Sequence, residues 1–328
     1  MEKEWVGKKV LITGGLGFIG SNLAHRLVLL GAKVSILDSL NPLYGGNLFN
    51  IEEIKDKLEI IIDDVRNREI LNKLVSGKDF IFDFAAQVRH TDSINTPLED
   101  LEVNCLSKLY LLEACRNFNQ AAKIIFSSSR MVYGKTGIES IKENHPTNPV
   151  GLYAIHKLTA EKYFLTYFKE FGIRSSILRI SNPYGERQQI KHSKYSLPGW
   201  FVRLAMEGSA IKIFGDGVQL RDYIYISDVI DAILAVAILP KTDGEIFNCG
   251  YGASVQFKNM VEIVINTINK GTVEYVPWPK EYNSVETGNS ELDISKLKNI
   301  TGWKSKVNLE QGIKKTFDYY TKHYKKYV

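Results

Sequence analysis

The chain has 328 residues, 44% of them apolar and 24% charged, with a formal charge of +5 at pH 7. Those values fit a large α/β domain carrying a smaller second lobe and exclude an intrinsically disordered chain. The 31 lysines are scattered, with no basic block longer than a Lys-Lys pair, so no nucleic-acid partner is expected.

From the N-terminus, Met1–Trp5 leads directly into a β-branched run, so no signal peptide is expected. Strands are expected at Lys9–Thr13, Lys33–Leu37, Leu58–Ile62, Phe80–Phe84, Lys123–Ser127 and Ser175–Ile180. Helical patterns fall between them at Gly17–Leu30, Arg66–Val75, Leu98–Phe118 and Tyr153–Phe171. This alternation predicts an α/β fold with a doubly wound parallel sheet, whose ligands sit at the carboxyl ends of the strands.

After Ser181 the rhythm changes. Residues Asn182–Leu220 read as loop-rich with one helix near Leu197–Met206, and Tyr251–Val328 reads as mixed. The expected division is a cofactor domain of residues 1–181 plus about 223–250, and a smaller mixed α/β lobe of 182–222 plus 251–328. No repeat or flexible linker separates them, so the lobes are expected to be knitted together. The most apolar stretch, Val229–Leu239, is interrupted by Asp231 and too short for a membrane span, so no membrane partner is expected. Cys105, Cys115 and Cys249 are isolated and the six histidines lack ligand spacing. That pattern predicts buried small hydrophobes, no metal site and a cytoplasmic protein.

The run Lys9-Val-Leu-Ile-Thr13 is followed by Gly14-Gly-Leu-Gly17-Phe-Ile-Gly20 and an apolar helix. Gly14 permits the tight turn, Gly17 lets the backbone approach a pyrophosphate, and Gly20 allows close helix–strand packing. The helix start adds N–H donors and a positive dipole end for phosphates. Such glycines alone are a weak signal, but here a strand precedes, a helix follows and Asp38 closes the second strand. A carboxylate there accepts hydrogen bonds from ribose hydroxyls and repels a 2′-phosphate, which selects NAD over NADP. Asp64-Val65, ending the third strand, suits the adenine amino group and ring.

Tyr153-Ala-Ile-His-Lys157 opens a helix, and residues four apart share a face. A phenol with pKa near 10 is a poor base at neutral pH; a lysine ammonium and an oxidised nicotinamide both favour the phenolate. Tyr153 then takes a substrate hydroxyl proton while hydride leaves the same carbon. With 17 tyrosines and 31 lysines, roughly one or two such spacings arise by chance, so the pair needs support. Ser127-Ser-Ser129, closing the fifth strand, supplies it: Ser129 is placed to donate to the substrate oxygen.

Taken in order, Gly14–Gly20, Asp38, Asp64-Val65, Ala85-Ala86, Phe126-Ser-Ser-Ser-Arg-Met-Val-Tyr-Gly134, Tyr153…Lys157, Leu178–Arg187 and Arg221–Val229 resemble the extended short-chain dehydrogenase/reductase family. Within it they resemble the nucleotide-sugar epimerases and dehydratases, over roughly residues 8 to 303. The resemblance implies a Rossmann-type domain holding NAD and a lobe holding a nucleoside diphosphate sugar. It implies catalysis by Ser129, Tyr153 and Lys157. It implies NAD contacts from Gly14, Gly17, Phe18, Ile19, Asp38, Ser39, Asp64, Val65, Ala85, Ala86, Ser127, Tyr153, Lys157 and Ile180. Substrate contacts are expected from Gln87, Arg89, Arg130, Met131, Asn182 and Arg221.

Departures from the family pattern narrow the reaction. The 4,6-dehydratases carry an Asp-Glu pair where Arg130-Met131 stands, and decarboxylating relatives carry a glutamate at Met131. A methionine moves no protons, so C4 epimerisation is the leading reading. A 2-epimerase, a dehydratase with relocated acid and base, or a ketoreductase is the alternative, and a non-catalytic NAD sensor a remote one. The resemblance also leads one to expect an arginine before Glu291, yet Asn283–Asn289 holds no basic residue, so either Lys191, His192 or Lys194 supplies the charge or the diphosphate lies differently. Ser290 aligns with a position that gates sugar size. The loop Gln87–Ser93 places Arg89 and His90 beside the sugar, whereas His156 is read as structural. The apolar helices Leu98–Phe118 and Tyr153–Phe171 suggest a homodimer.

Overall fold

The computed structural model describes residues 2–41, 44–88, 90–137, 140–193, 196–278 and 287–328. β1 (Lys9–Thr13) runs through the glycine turn into α1 (Phe18–Leu29), which returns the chain to β2 (Lys33–Asp38) at its side. After their first lysines both strands are wholly buried, as strands covered on two faces must be. β3 (Leu58–Ile62), α2 (Arg68–Val75) and β4 (Phe80–Asp83) repeat the unit. The Asn67 side chain accepts from the Glu69 and Ile70 amides, so α2 begins at Arg68 rather than Arg66.

Two short helices, α3 (His90–Asn95) and α4 (Pro97–Leu101), precede α5 (Ser107–Phe118). The single helix expected over Leu98–Phe118 is therefore broken by a π turn at Glu102–Leu106. The wider turn carries Asn104, wholly buried, whose Nδ2 donates to the Gln87 carbonyl at 2.8 Å and to Asp100 Oδ2 at 3.1 Å. The expected loop Gln87–Ser93 likewise becomes helix from His90 onward. β5 (Lys123–Ser129) extends two residues past its expected end, making Ser129 a strand-end residue. α6 (Leu152–Phe171) and β6 (Ser175–Ile180) follow as expected.

Beyond β6 come β7 (Asn182–Tyr184), α7 (Leu197–Met206), β8 (Ala210–Phe214) and β9 (Leu220–Tyr225). The chain then re-enters the main layer with α8 (Ile226–Ile238) and β10 (Glu245–Cys249). β11 (Ser254–Gln256), α9 (Phe257–Ile268), β12 (Thr272–Val276), α10 (Ser295–Thr301) and α11 (Leu309–His323) complete the described elements.

The main sheet has seven parallel strands in the order β3-β2-β1-β4-β5-β6-β10. The doubly wound α/β fold is thus observed, and its order reverses between β1 and β4, where such sheets open a crevice. β9 pairs parallel with β7 and antiparallel with β11, while β8 pairs with β12. One buried cluster runs from Trp5, Val10 and Leu27 through Ile211 and Met260 to Ile313 and Tyr320. β1, α1, β8, α9 and α11 therefore share a core. α8, the most apolar stretch, lies in it, and all three cysteines are free and buried. No helix among the described residues is long and apolar enough to cross a membrane.

Candidate functional site

A cavity of about 790 Å³ opens along the carboxyl ends of β1, β2, β4 and β5 and continues to residues of α7, β8 and β9. Gly14, Gly17, Phe18 and Ile19 form one wall, with Asp38, Ser39, Asp64 and Val65 beside them. Ala85, Ala86, Ser127 and Ile180 continue it toward Ser129, Tyr153 and Lys157. All the residues expected to touch NAD therefore line one space.

The glycine turn fits a pyrophosphate. Gly14 has φ +70, and a Cβ there would lie 2.7 Å from the Ala85 amide nitrogen. A Cβ on Gly20 would sit 2.3 Å from the Gly14 carbonyl oxygen, so only glycine lets α1 start this close to β1. Asp38 Oδ2 accepts from the Leu16 amide at 2.9 Å and Oδ1 from the Leu40 amide at 2.8 Å. Burial pushes this carboxyl up, and the two amides pull it back. At Asp64 burial acts the same way but loses to Arg66, which grips both oxygens at 2.9 and 2.8 Å and holds the carboxyl low. These residues would hold the adenosine and pyrophosphate of NAD.

The catalytic candidates meet at the ends of β5 and α6. Ser129 Oγ accepts from the Met131 amide at 3.2 Å, capping the short helix Arg130–Tyr133, and hydrogen-bonds to the Tyr153 side chain. Lys157 Nζ donates to the Ser127 carbonyl at 3.0 Å and lies 6.0 Å from the Tyr153 ring centroid. Burial, then the Asp100 charge, push the Tyr153 phenol up, and the Ser129 hydrogen bond lowers it. Burial, then the Lys108 charge, bring Lys157 down to about 7, against Asp83, Asp100 and Glu161. Desolvation thus opposes the charged form of both partners.

Beneath this pair lies a set of buried charges that spacing did not reveal. Lys108 Nζ donates to Asp83 Oδ1 at 3.0 Å and to the Ala85 carbonyl at 2.7 Å. Asp83 Oδ1 also accepts from Thr13 Oγ1 at 2.7 Å, while its Oδ2 is buried with no hydrogen-bond partner among the described residues. Arg179 Nη2 meets Glu161 Oε2 at 2.6 Å, and Ser128 Oγ donates to Glu161 Oε1 at 2.5 Å. His156 Nδ1 contacts Asp100 Oδ1 at 2.5 Å, tying α6 to α4 as its structural reading anticipated.

At the substrate end, Arg130, Met131, Asn182 and Arg221 line the cavity. Gln87 does not: it is buried, and its carbonyl is taken by Asn104. Arg89 and Lys194 lie outside the described residues, as do the side chain of His90 and residues 283–286. Neither Lys191 nor His192 is among the described lining residues; the Gln189 side chain hydrogen-bonds to the His192 ring. Ser290 is buried and also off the lining. Missed from the sequence were Tyr223, Thr287, and an aromatic wall in which Phe214 and Trp278 stand 5.6 Å apart.

Comparison with known proteins agrees with this geometry. A model of the NAD dependent epimerase/dehydratase family matches residues 10–250. The chain is 30% identical over 316 residues to the UDP-glucose 4-epimerase of Mycolicibacterium smegmatis, covering 95% of this chain and 98% of that protein. It is also 30% identical over 342 residues to the CDP-paratose 2-epimerase of Salmonella typhi, covering 95% and 98%. Its structure resembles that of UDP-glucose 4-epimerase from Thermotoga maritima with UDP-glucose, with a TM-score of 0.88, 30% identity and coverage of 96% and 99%.

Proposed function

This chain belongs to the NAD-dependent epimerase/dehydratase family of nucleotide-sugar enzymes, and within that family we propose that it inverts C4 of a nucleoside diphosphate sugar through a transient 4-keto sugar. One observation carries the choice of reaction. Among the described residues lining the cavity the only carboxylates are Asp38 and Asp64, both beside the glycine turn. Elimination of water needs an acid and a base near the sugar. Here Met131 packs against Tyr153 and Ala154 instead.

NAD, when bound, supplies a positively charged hydride acceptor and later returns the hydride, so none is consumed. Tyr153 takes the 4-hydroxyl proton and gives it back after the keto sugar has turned over. Ser129, joined to Tyr153, donates to the same oxygen. Lys157, anchored on the Ser127 carbonyl, fixes the floor of the site and adds positive charge when protonated. A 2-epimerase shares the keto chemistry, and its relatives stand in the same family.

The test is to screen UDP-, dTDP-, GDP- and CDP-sugars for isomer formation without added cofactor, after identifying the nicotinamide released on denaturation. Tyr153→Phe should abolish turnover, by about 10³-fold or more, while bound NAD is retained. Net loss of water, stoichiometric use of NADPH, or an active Tyr153→Phe protein would overturn the reading. A homodimer is part of the same proposal: Leu98, Leu101, Ile155 and Phe171 on α4 and α6 are exposed apolar residues. Sedimentation at micromolar concentration should give twice the 37.2 kDa chain mass, and a monomer would remove that part.

A further inference from the structure

We propose that Arg130 and Arg221 form a single anion clamp for the substrate's diphosphate, with Arg130 supplying, from the end of β5, the second cation that Asn283–Asn289 lacks. The proposal rests on the nucleotide-sugar reading above and assigns a role within that site.

Two hydrogen bonds bring the guanidiniums together. Arg130 Nη1 donates to Thr287 Oγ1 at 3.0 Å, and Arg221 Nη1 donates to the Gly288 carbonyl at 2.6 Å. Thr287 and Gly288 are consecutive, so their Cα atoms are about 3.8 Å apart and the two forks are held at one place on the cavity wall. Asn182 steadies the first fork. Its Oδ1 faces Arg130 Nε at 3.4 Å, and its Nδ2 donates to the Asp222 carbonyl at 2.7 Å. The Leu220 carbonyl steadies the second, 2.9 Å from Arg221 Nη1. These oxygens orient the two guanidinium planes.

An independent observation points to the ligand. The Tyr223 hydroxyl lies in the same wall, is buried, and has no hydrogen-bond partner among the described residues. Arg221 and Arg130 are the two charges acting on it. A buried O–H donor left unmade is costly, and beside two cations the group that satisfies it is an oxygen acceptor carrying negative charge. Two planar forks and a phenol together match the several non-bridging oxygens of a diphosphate. Arg130 also follows Ser129 directly in sequence, so the anion and the reacting hydroxyl are read by adjacent residues.

A carboxylate on the sugar is the other anion such a clamp could take, and the experiment separates the two. NAD-loaded wild type, Arg130→Ala, Arg130→Lys and Tyr223→Phe are titrated calorimetrically with UDP, dTDP, GDP and CDP and with their monophosphates. For the nucleotide bound best, Arg130→Ala should weaken the diphosphate roughly 10- to 100-fold and the monophosphate only a few-fold. Arg130→Lys should recover part of the loss, because an ammonium keeps the charge without the fork. Tyr223→Phe should weaken the diphosphate with no fall in Tm, since its hydroxyl bonds nothing in the described protein. NAD content and Tm of each variant exclude misfolding as the cause. Unchanged diphosphate affinity in Arg130→Ala overturns the clamp, and lost preference for a uronate over a neutral nucleotide sugar would then assign Arg130 to the carboxylate. A wild type that binds no nucleoside diphosphate removes the nucleotide-sugar reading itself, and the clamp with it.

Discussion

Replacing Lys157 with methionine should make the protein more stable at pH 6 while abolishing turnover. Lys157 is 2% exposed, and burial with the Lys108 charge beside it lowers its pKa from the ordinary 10.5 to about 7. Between those values the unfolded chain binds more protons than the folded one, so stability rises with pH from about 7 to 10.5. Below pH 7 the folded protein bears the whole penalty. At 1.36 kcal/mol for each factor of ten in proton affinity, that penalty is on the order of 5 kcal/mol. Methionine keeps an apolar stem and removes the charge. The Ser127 carbonyl loses its donor, which takes back about 1 kcal/mol at every pH. The variant should therefore be stabler by about 4 kcal/mol at pH 6, with the gap closing toward pH 10. Urea unfolding of both proteins, freed of nucleotide and followed by circular dichroism at pH 6 and pH 9.5, measures it. A pH-independent difference, or a less stable variant at pH 6, would refute the reasoning.

Two further outcomes test the scaffold beneath the site. Glu161→Ala leaves the Arg179 guanidinium, 2% exposed at its side chain, without its carboxylate. That should cost about 3–5 kcal/mol and lower Tm by on the order of 10 °C in calorimetry; a fall of a degree or two would mean the pair is dispensable. Gly20→Ala places a methyl 2.3 Å from the Gly14 carbonyl and 2.7 Å from the Gly15 Cα, so the phosphate turn must shift. The protein should be purified without NAD, as judged by nicotinamide release on acid denaturation, and a stoichiometric NAD content would contradict the role given to Gly20.

The glycine turn, Asp38 and all the main-sheet strands but β10 were legible in the sequence because local backbone rules dictate them. Gly14 needs positive φ, and β-branched runs such as Leu58–Ile62 have little alternative to strand. What escaped depends on distant partners. The π turn at Glu102–Leu106 follows from Asn104 reaching the Gln87 carbonyl, 17 residues away along the chain. Arg130 is defined by Asn182 and Thr287, 52 and 157 residues away, so its expectation as a substrate contact said nothing of where its fork would point. Lys108 in a helical pattern reads as solvated surface, yet it is buried on Asp83.

The buried charges explain why a sequence argument about the Tyr–Lys pair went only half-way. Spacing alone counted the lysine as a cation four residues from the phenol. In the folded chain desolvation acts on both, and Asp100 further opposes ionisation of Tyr153 while Lys108 opposes protonation of Lys157. Asp83, Asp100 and Glu161 act the other way on Lys157, so its value is a balance struck between α5, β4, α4 and α6 rather than a property of the motif. The described groups therefore favour the neutral phenol at Tyr153 and put Lys157 near its midpoint at neutral pH. In the proposed mechanism the charge that makes Tyr153 a base arrives with the ligands, which confines the chemistry to the loaded site.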